Sequence, residues 1–299
     1  MKSRGIQPRL QRSGCATSNA GPERGIISGM RVLLAALITA ICTFAQVPNI
    51  EQMKGKTVLL FTPHPDDDAF CCGGTLAMLR ENGNKVYIVL YTNDDKGSYD
   101  PDITSERLAR IRKAEEEAGN RVLGIPKENL IWLGHHDGML EYVEPKHLVE
   151  QATEIIRRYR PDLVMSVDPG ADYMRWHKTD HRAAGAITLD AIRAAEWHLY
   201  FPNHKLQLGL EPFRVPAYLF FYTLEREANY WVNIDKYVEK KLEAALSHVS
   251  QFEPGVNKYR PDWTAADREK ARQELLSAMK KRNGHTVEAY RLASEFNQQ

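Results

Sequence analysis

The sequence is poor in the features that mark several large classes of protein. Cysteine is scarce, at four of 299 residues. Cys15 and Cys42 fall in an N-terminal stretch unlike the remainder. Cys71 and Cys72 are adjacent, and neighbours in sequence rarely bridge because the required geometry is strained. A scaffold held by disulfides is therefore excluded. An excess of one charge is also missing. The formal net charge is +1, which argues against nucleic acid or an acidic membrane surface as partner. No apolar run reaches the roughly 20 residues that cross a bilayer. There is no internal repeat. No G-x-G-x-x-G follows the first apolar segment, and an acidic loop stands there instead, so a nucleotide-binding reading is disfavoured.

What is present divides near residue 55. Residues 1–29 are rich in Arg, Ser and Gly without period. They read as disordered, or as an upstream extension if Met30 is the true start. Residues 30–46, "MRVLLAALITAICTFAQ", place Arg31 before an apolar run from Val32 to Phe44 and then small residues. That is the order of a secretory signal. It predicts cleavage near Ala45 and an exported product with no stable membrane anchor. The competing reading is a buried N-terminal helix.

From Thr57 short apolar segments alternate with helical ones. Strands are expected at 57–62, 85–92, 130–134, 161–168, 217–222 and 230–234. Helices are expected at 73–82, 105–124, 145–159 and 180–195, with a mostly helical C-terminal third. Ser105 is the expected N-cap of the second helix and Gly124 its stop. Alternation with strands apolar throughout predicts an α/β fold with a mostly parallel sheet flanked by helices, one domain over 55–299.

In such folds ligands bind beyond the carboxyl ends of the strands. The polar loops fall there: "HPDDD" (64–68), "TNDDKGSYD" (92–100), "GHHDG" (134–138) and "DPGADYMRWHKTDH" (168–181). Three consecutive aspartates at the mouth of a buried strand repel one another unless positive charge sits among them. A divalent cation answers this, because it favours ionised carboxylates and neutral imidazole. His64 and Asp67 are three apart on a turn, and His181 opens a helix after another strand on the same rim. Two histidines and one carboxylate suit zinc, with ferrous iron as the alternative, and leave positions open for water. The bland reading is that His64 caps a turn and His181 a helix.

At these residues the sequence resembles a family. "PHPDDDAFCCGGTLA" is similar to the A-H-P-D-D-E signature of the PIG-L/LmbE-like N-deacetylases. "DHRAAGAITLDAIRAA" is similar to their second signature, H-P-D-H followed by a helix. "YTNDDKGS", "LARIRKAEEEAGNRVLGI", "LGHHDGML" and "HTVEAYRL" follow the family's order too, so the resemblance spans about residues 57–297. It implies a Rossmann-like fold and a zinc-dependent hydrolase acting on small N-acyl amino sugars, their glycosides or conjugates. By position it makes His64, Asp67 and His181 the metal ligands and Asp66 the general base. The chain departs from the family pattern twice. Asp68 stands where the family has Glu, which shortens a supporting arm. The oxyanion-stabilising His three residues before the last ligand is replaced by Lys178, with His177 one step earlier. His177 is the preferred candidate for that role.

Further candidates are less specific. Asp180 either orients a ligand histidine or caps its helix. Arg112 meets a sugar or phosphate oxygen or lies on a solvated face. Asp137 resembles a sugar-contacting position. His135 and His136 form a second metal site or stand on the surface. Tyr173 and Trp176 stack on a sugar or enter the core. Cys71 and Cys72 are thiolate ligands or small packing residues. Two other functions compete: a metal-stabilised carbohydrate-binding protein without turnover, suggested by the altered second signature, and a glycosidase, for which adjacent aspartates are poorly placed.

Overall fold

The computed structural model describes residues 49–170 and 178–294. The expectations for residues 1–46, and for Tyr173, Trp176 and His177, lie outside the described residues. The described residues contain eight strands: β1 (Thr57–Thr62), β2 (Lys85–Thr92), β3 (Leu130–His135), β4 (Leu163–Val167), β5 (Ala217–Phe221), β6 (Tyr230–Asn233), β7 (Lys280–Arg282) and β8 (His285–Ser294). The helices are α1 (Asp67–Glu81), α2 (Ser105–Val122), α3 (Pro145–Tyr159), α4 (Thr179–Glu196), α5 (Asn203–Leu208), α6 (Val238–Ala245) and α7 (Ala265–Ala278). The sheet order is β3-β2-β1-β4-β5-β8-β6, with β7 also paired to β8. The first five strands are parallel. β8 runs antiparallel to β5, β6 and β7.

The strand sequences explain the layering. Alternate residues of a strand face opposite sides. In β1, Leu59 and Phe61 join the apolar cluster under α3 and α4. Val58 and Leu60 join the cluster that takes in α1 and α6. All four are fully buried, so the strand must be apolar on both faces, and each such side chain contributes roughly 1.5–3 kcal/mol by leaving water. α1 is apolar nearly all round because it lies between the sheet and α6. Its Gly74 is required there: a Cβ would stand 2.7 Å from the Ile234 side chain.

Beyond shifts of one or two residues at element ends, three differences from the expected elements matter here. α1 begins at Asp67, not Gly73, because Asp67 and Asp68 occupy its first turn, where carboxylates favour the helix dipole. The α2 cap is Thr104, whose hydroxyl accepts from the Arg107 N–H at 3.3 Å, not Ser105. The C-terminal third is not mostly helical. β7 and β8 form a hairpin through Asn283 and Gly284, both at positive φ (51° and 82°), which the type I′ turn demands. The pair Cys71–Cys72 is also corrected. The two sulfurs are joined as a disulfide; both side chains lie in or against the same apolar cluster, and neither is a free thiolate.

The strand order reverses between β1 and β4, with β2 and β3 on one side and β5 on the other. A crevice opens at such a switch point, beyond the carboxyl ends.

Candidate active site

The loop leaving β1 is strained where it matters. Asp66 has φ 133° and ψ −36°, a region that a residue with a Cβ rarely occupies. Asp66 precedes α1 but makes no capping bond with its side chain. Its carboxylate therefore remains available, while its carbonyl accepts from Phe70 N–H at 2.9 Å. Two other strand ends on this rim are strained in the same sense: Asp94 after β2 (φ 53°) and Tyr222 after β5 (φ 56°).

His64, Asp67 and His181 converge. His64 Nδ1 lies 3.5 Å from Asp67 Oδ2, and His181 Nε2 lies 3.1 Å from Asp67 Oδ1. Each of the three offers a donor atom within 4.8 Å of the others, and all three are buried. His181 gets there because α4 comes close to the end of β4. Gly185, one turn on, sits where a Cβ would be 3.0 Å from the Val167 carbonyl. Asp67 is held from a second side by the Tyr222 hydroxyl, which donates to its Oδ1 at 2.8 Å.

The donor set fits a divalent cation. Bonds of about 2.0–2.2 Å to a zinc-like ion require donors this close. His64 Nε2 faces two carboxylates, Asp137 Oδ1 at 3.0 Å and Asp180 Oδ2 at 3.2 Å. That assigns the ring proton to Nε2 and turns the Nδ1 lone pair toward Asp67, the arrangement by which an outer carboxylate orients a ligating imidazole. Burial alone would lower the His64 pKa, but hydrogen bonds to Asp137, Asp180 and Asp67 carry it well above the usual value. A site that pulls a proton so strongly onto imidazole is one that attracts positive charge.

The carboxylates are pushed apart by environment. Burial, with Asp67 and Asp94 nearby, raises Asp66 well above the carboxylate range. Burial would raise Asp67 too, but the His181 and His64 contacts hold it well below. Asp94 is pushed up to about 7 by burial, against the pull of Arg112. Asp137 is half-buried, and its bond to His64 holds it down at about 2. Groups of one chemical type driven in opposite directions suit acid and base duties within one cleft.

The cavity above these groups measures about 330 Å³ and is walled by His64, Asp66, Asp94, Arg112, Asp137 and Lys178, among others. A larger hollow of about 750 Å³, between α3 and the segment 199–203, contains none of the converging acids.

The remaining candidates resolve as follows. Asp180 does not cap α4. Its carboxylate crosses to His64 and accepts from the Gly138 and Leu140 N–H groups at 2.6 and 3.1 Å, which ties the "GHHDG" loop to the site. Arg112 is buried, not on a solvated face. Its guanidinium pairs with Asp94 Oδ1 at 2.7 Å and donates to the Asp94 and Gly97 carbonyls. Asp68 is buried away from the cavity and accepts from Asn120 at 3.0 Å. His136 is exposed and bonded to Asp95 at 2.7 Å, and His135 bonds Gln151. Among the described residues neither belongs to a metal-like group. Lys178 is exposed at the start of α4 and lines the cavity. Three contributors escaped the sequence reading. Tyr222 is an aromatic residue at a strand end, with no spacing signal. Asp94 lies in a loop seen as polar but was not singled out there. Gln251 arrives from a distant turn and donates to Asp94 Oδ2 at 2.9 Å.

Comparison with known proteins agrees with this geometry. The family model for PIG-L, described as GlcNAc-PI de-N-acetylase, matches residues 59–192. A diacetylchitobiose deacetylase of Thermococcus kodakarensis is 34% identical over 197 residues, which is 66% of this chain and 70% of that protein. The chain belongs to the PIG-L family of de-N-acetylases. A probable N-acetyl-alpha-D-glucosaminyl L-malate deacetylase 2 of Bacillus anthracis is 28% identical over 219 residues, covering 70% of this chain and 87% of that one. Among solved structures, the N,N'-diacetylchitobiose deacetylase of Pyrococcus horikoshii, complexed with an inhibitor, superposes with a TM-score of 0.68 at 28% identity, over 82% of this chain and 86% of that one. The PIG-L match begins inside β1 and ends within α4, so it contains every converging residue named above except Tyr222 and Gln251.

Proposed function

We propose that this PIG-L chain is a zinc-dependent hydrolase that removes the acetyl group from the nitrogen of an amino sugar, its glycoside or a conjugate. The observation that carries the reading is the convergence of His64, Asp67 and His181 beside the uncapped Asp66, at the switch point of the sheet. His64, Asp67 and His181 would hold the ion. When bound, it supplies Lewis acidity at the scissile carbonyl and makes a water acidic enough to lose a proton near neutral pH.

The other duties belong to the chain. Asp66 takes the proton from the attacking water and returns it to the departing amine. Burial, with Asp67 and Asp94 nearby, raises its pKa, which makes it a better proton acceptor than an ordinary carboxylate. Asp180 fixes His64 and the loop that carries Asp137. Asp137, Asp94 and Gln251 present acceptors and a donor to sugar hydroxyls. Arg112 braces Asp94 and faces the cavity. A cation beside the developing oxyanion completes the set, and His177 is proposed for it over Lys178; either charge stabilises such an anion. The relatives' names support an N-acetylated amino sugar as the substrate class. Nothing in the site favours carbohydrate binding without turnover.

The test is to purify the full chain, measure bound metal, and screen N-acetylated mono- and disaccharides for release of free amine. About one zinc per chain with amine release is expected. His181→Ala should lose the metal. A variant that keeps full stoichiometry under chelator challenge removes His181 from the ligand set.

A further inference from the structure

A second polar cluster lies behind α1, outside the catalytic cavity. Asp68 comes from α1, Glu116 and Asn120 stand one turn apart on α2, and His248 follows α6. All four are at most 1% exposed. Asn120 Nδ2 donates to Asp68 Oδ2 at 3.0 Å and to Glu116 Oε1 at 2.9 Å, which satisfies one oxygen of each acid. The opposite atoms are Asp68 Oδ1, Glu116 Oε2, Asn120 Oδ1 and both ring nitrogens of His248. None has a hydrogen-bond partner among the described residues. Folded interiors leave very few buried polar atoms unpaired, and five in one cluster call for a ligand. His248 Nε2 stands 3.8 Å from Glu116 Oε2, beyond the reach of a direct hydrogen bond.

We propose that Asp68, Glu116, Asn120 and His248 enclose an internal water site, with at least one ordered water joining Asp68 Oδ1, Glu116 Oε2 and the His248 ring. Spacing selects water over an ion. A shared ion needs its donors within about 4.8 Å of one another, given bonds of roughly 2.0–2.4 Å. Asp68, Glu116 and His248 do not form such a group. Hydrogen bonds of about 2.8 Å span a wider gap. Water both donates and accepts, and a buried water commonly has two to four polar partners, which this cluster supplies. The protonation states agree. Burial, with Asp68 and Asp66 near, holds Glu116 well above the usual range, and burial lowers His248 to about 3. Both shifts disfavour the charged form, so the pair calls for a bridge and not for a counter-ion. The water supports Asp68, and with it the first turn of α1, from the side opposite the cavity.

A high-resolution crystal structure of the full chain tests this. A water peak is expected within hydrogen-bond distance of Asp68 Oδ1, Glu116 Oε2 and a His248 nitrogen. Side chains closed directly on one another with no peak, or density with metal-like bond lengths, overturns it. Two variants sharpen the result. Glu116→Gln preserves the shape and should keep the peak. Glu116→Met with His248→Phe fills the space with apolar atoms and should lose it. Should the double variant not fold, water-oxygen relaxation dispersion of the wild type against Glu116→Gln serves in its place. A long-lived internal water is expected in both, and its absence from the wild type overturns the proposal.

Discussion

At Asp66 a strained backbone and a displaced pKa coincide. A non-glycine residue in that conformation costs on the order of 1–3 kcal/mol, and such strain is kept where the surroundings enforce it. Here Asp66 stands at the cap position of α1 with no capping bond from its side chain, so that Asp67 can ligate while its neighbour handles protons. Asp66→Asn should keep its metal and lose about a hundred- to ten-thousand-fold in turnover; a metal-replete variant near wild-type rate would remove Asp66 from that role. Asp180 acts through others. Asp180→Asn should weaken metal affinity roughly 10–100-fold, as outer partners of ligating histidines do, with the change read by competition with a chelator. Unchanged affinity would reduce Asp180 to a loop anchor. His248 gives a stability signature. Its folded pKa is about 3, below the roughly 6.5 of an unfolded chain. Between those values the unfolded state binds a proton that the folded state refuses. The contribution is therefore complete above pH 6.5 and is lost as pH falls toward 3, by on the order of 1 kcal/mol per unit. Glu116 and Glu115, both raised by burial, act in the opposite sense. The observable is thus the difference between wild type and His248→Leu in urea unfolding across pH 4–7. That difference should narrow as pH falls; a constant gap would contradict a neutral buried His248.

At the scale of elements, α1 carries the acidic loop and is clamped by its neighbours. Glu288 of β8 accepts from the Gly74 and Thr75 N–H groups at 2.9 and 2.8 Å and pairs with Lys241 of α6 at 2.5 Å. Gly74 lets α1 approach Ile234 this closely. In an exposed helix Gly→Ala stabilises by about 1 kcal/mol. At Gly74 the sign should reverse, because the added methyl overpacks a closed interface at a cost of about 1–3 kcal/mol. Thermal unfolding decides it, and a Gly74→Ala protein with a raised Tm would show that the α1–Ile234 contact yields freely. The antiparallel strand β8 was available to sequence reading through "RNGH", since an Asn-Gly pair between polar and alternating segments marks a two-residue hairpin. The preceding "ADREKARQELLSAMKK" reads as helix up to its last residues and masks that signal. The Arg291 side chain of β8 then pairs with Asp168 at the end of β4, which no local pattern discloses.

For the whole molecule, among the described residues no helix is long and apolar enough to cross a membrane. We propose from the order of residues 30–46 that the chain is exported. Mass spectrometry of the N-terminus in a native-like host should find Gln46 or Val47 first, and an intact Met1 or Met30 on a cytoplasmic product would refute export. Within the described residues, the sequence by itself determined the five parallel strands and the helices between them. Strands apolar on both faces fit only a sheet covered on both sides, and that pattern is local. It also determined His64, Asp67 and His181 as candidate ligands, because a strand running into an acidic turn leaves charge that must be answered; Asp66 as the base came from the resemblance of the first motif to the family signature. Only the tertiary structure decided that Asp180 reaches His64 and not its own helix, that Arg112 is buried against Asp94, that Tyr222 donates to Asp67, and that Asp68 belongs to the cluster with Glu116, Asn120 and His248. Each of these joins segments between 18 and 180 residues apart along the chain. Periodicity is blind to such contacts, because they are set by how the layers pack and not by the order of residues within any one element.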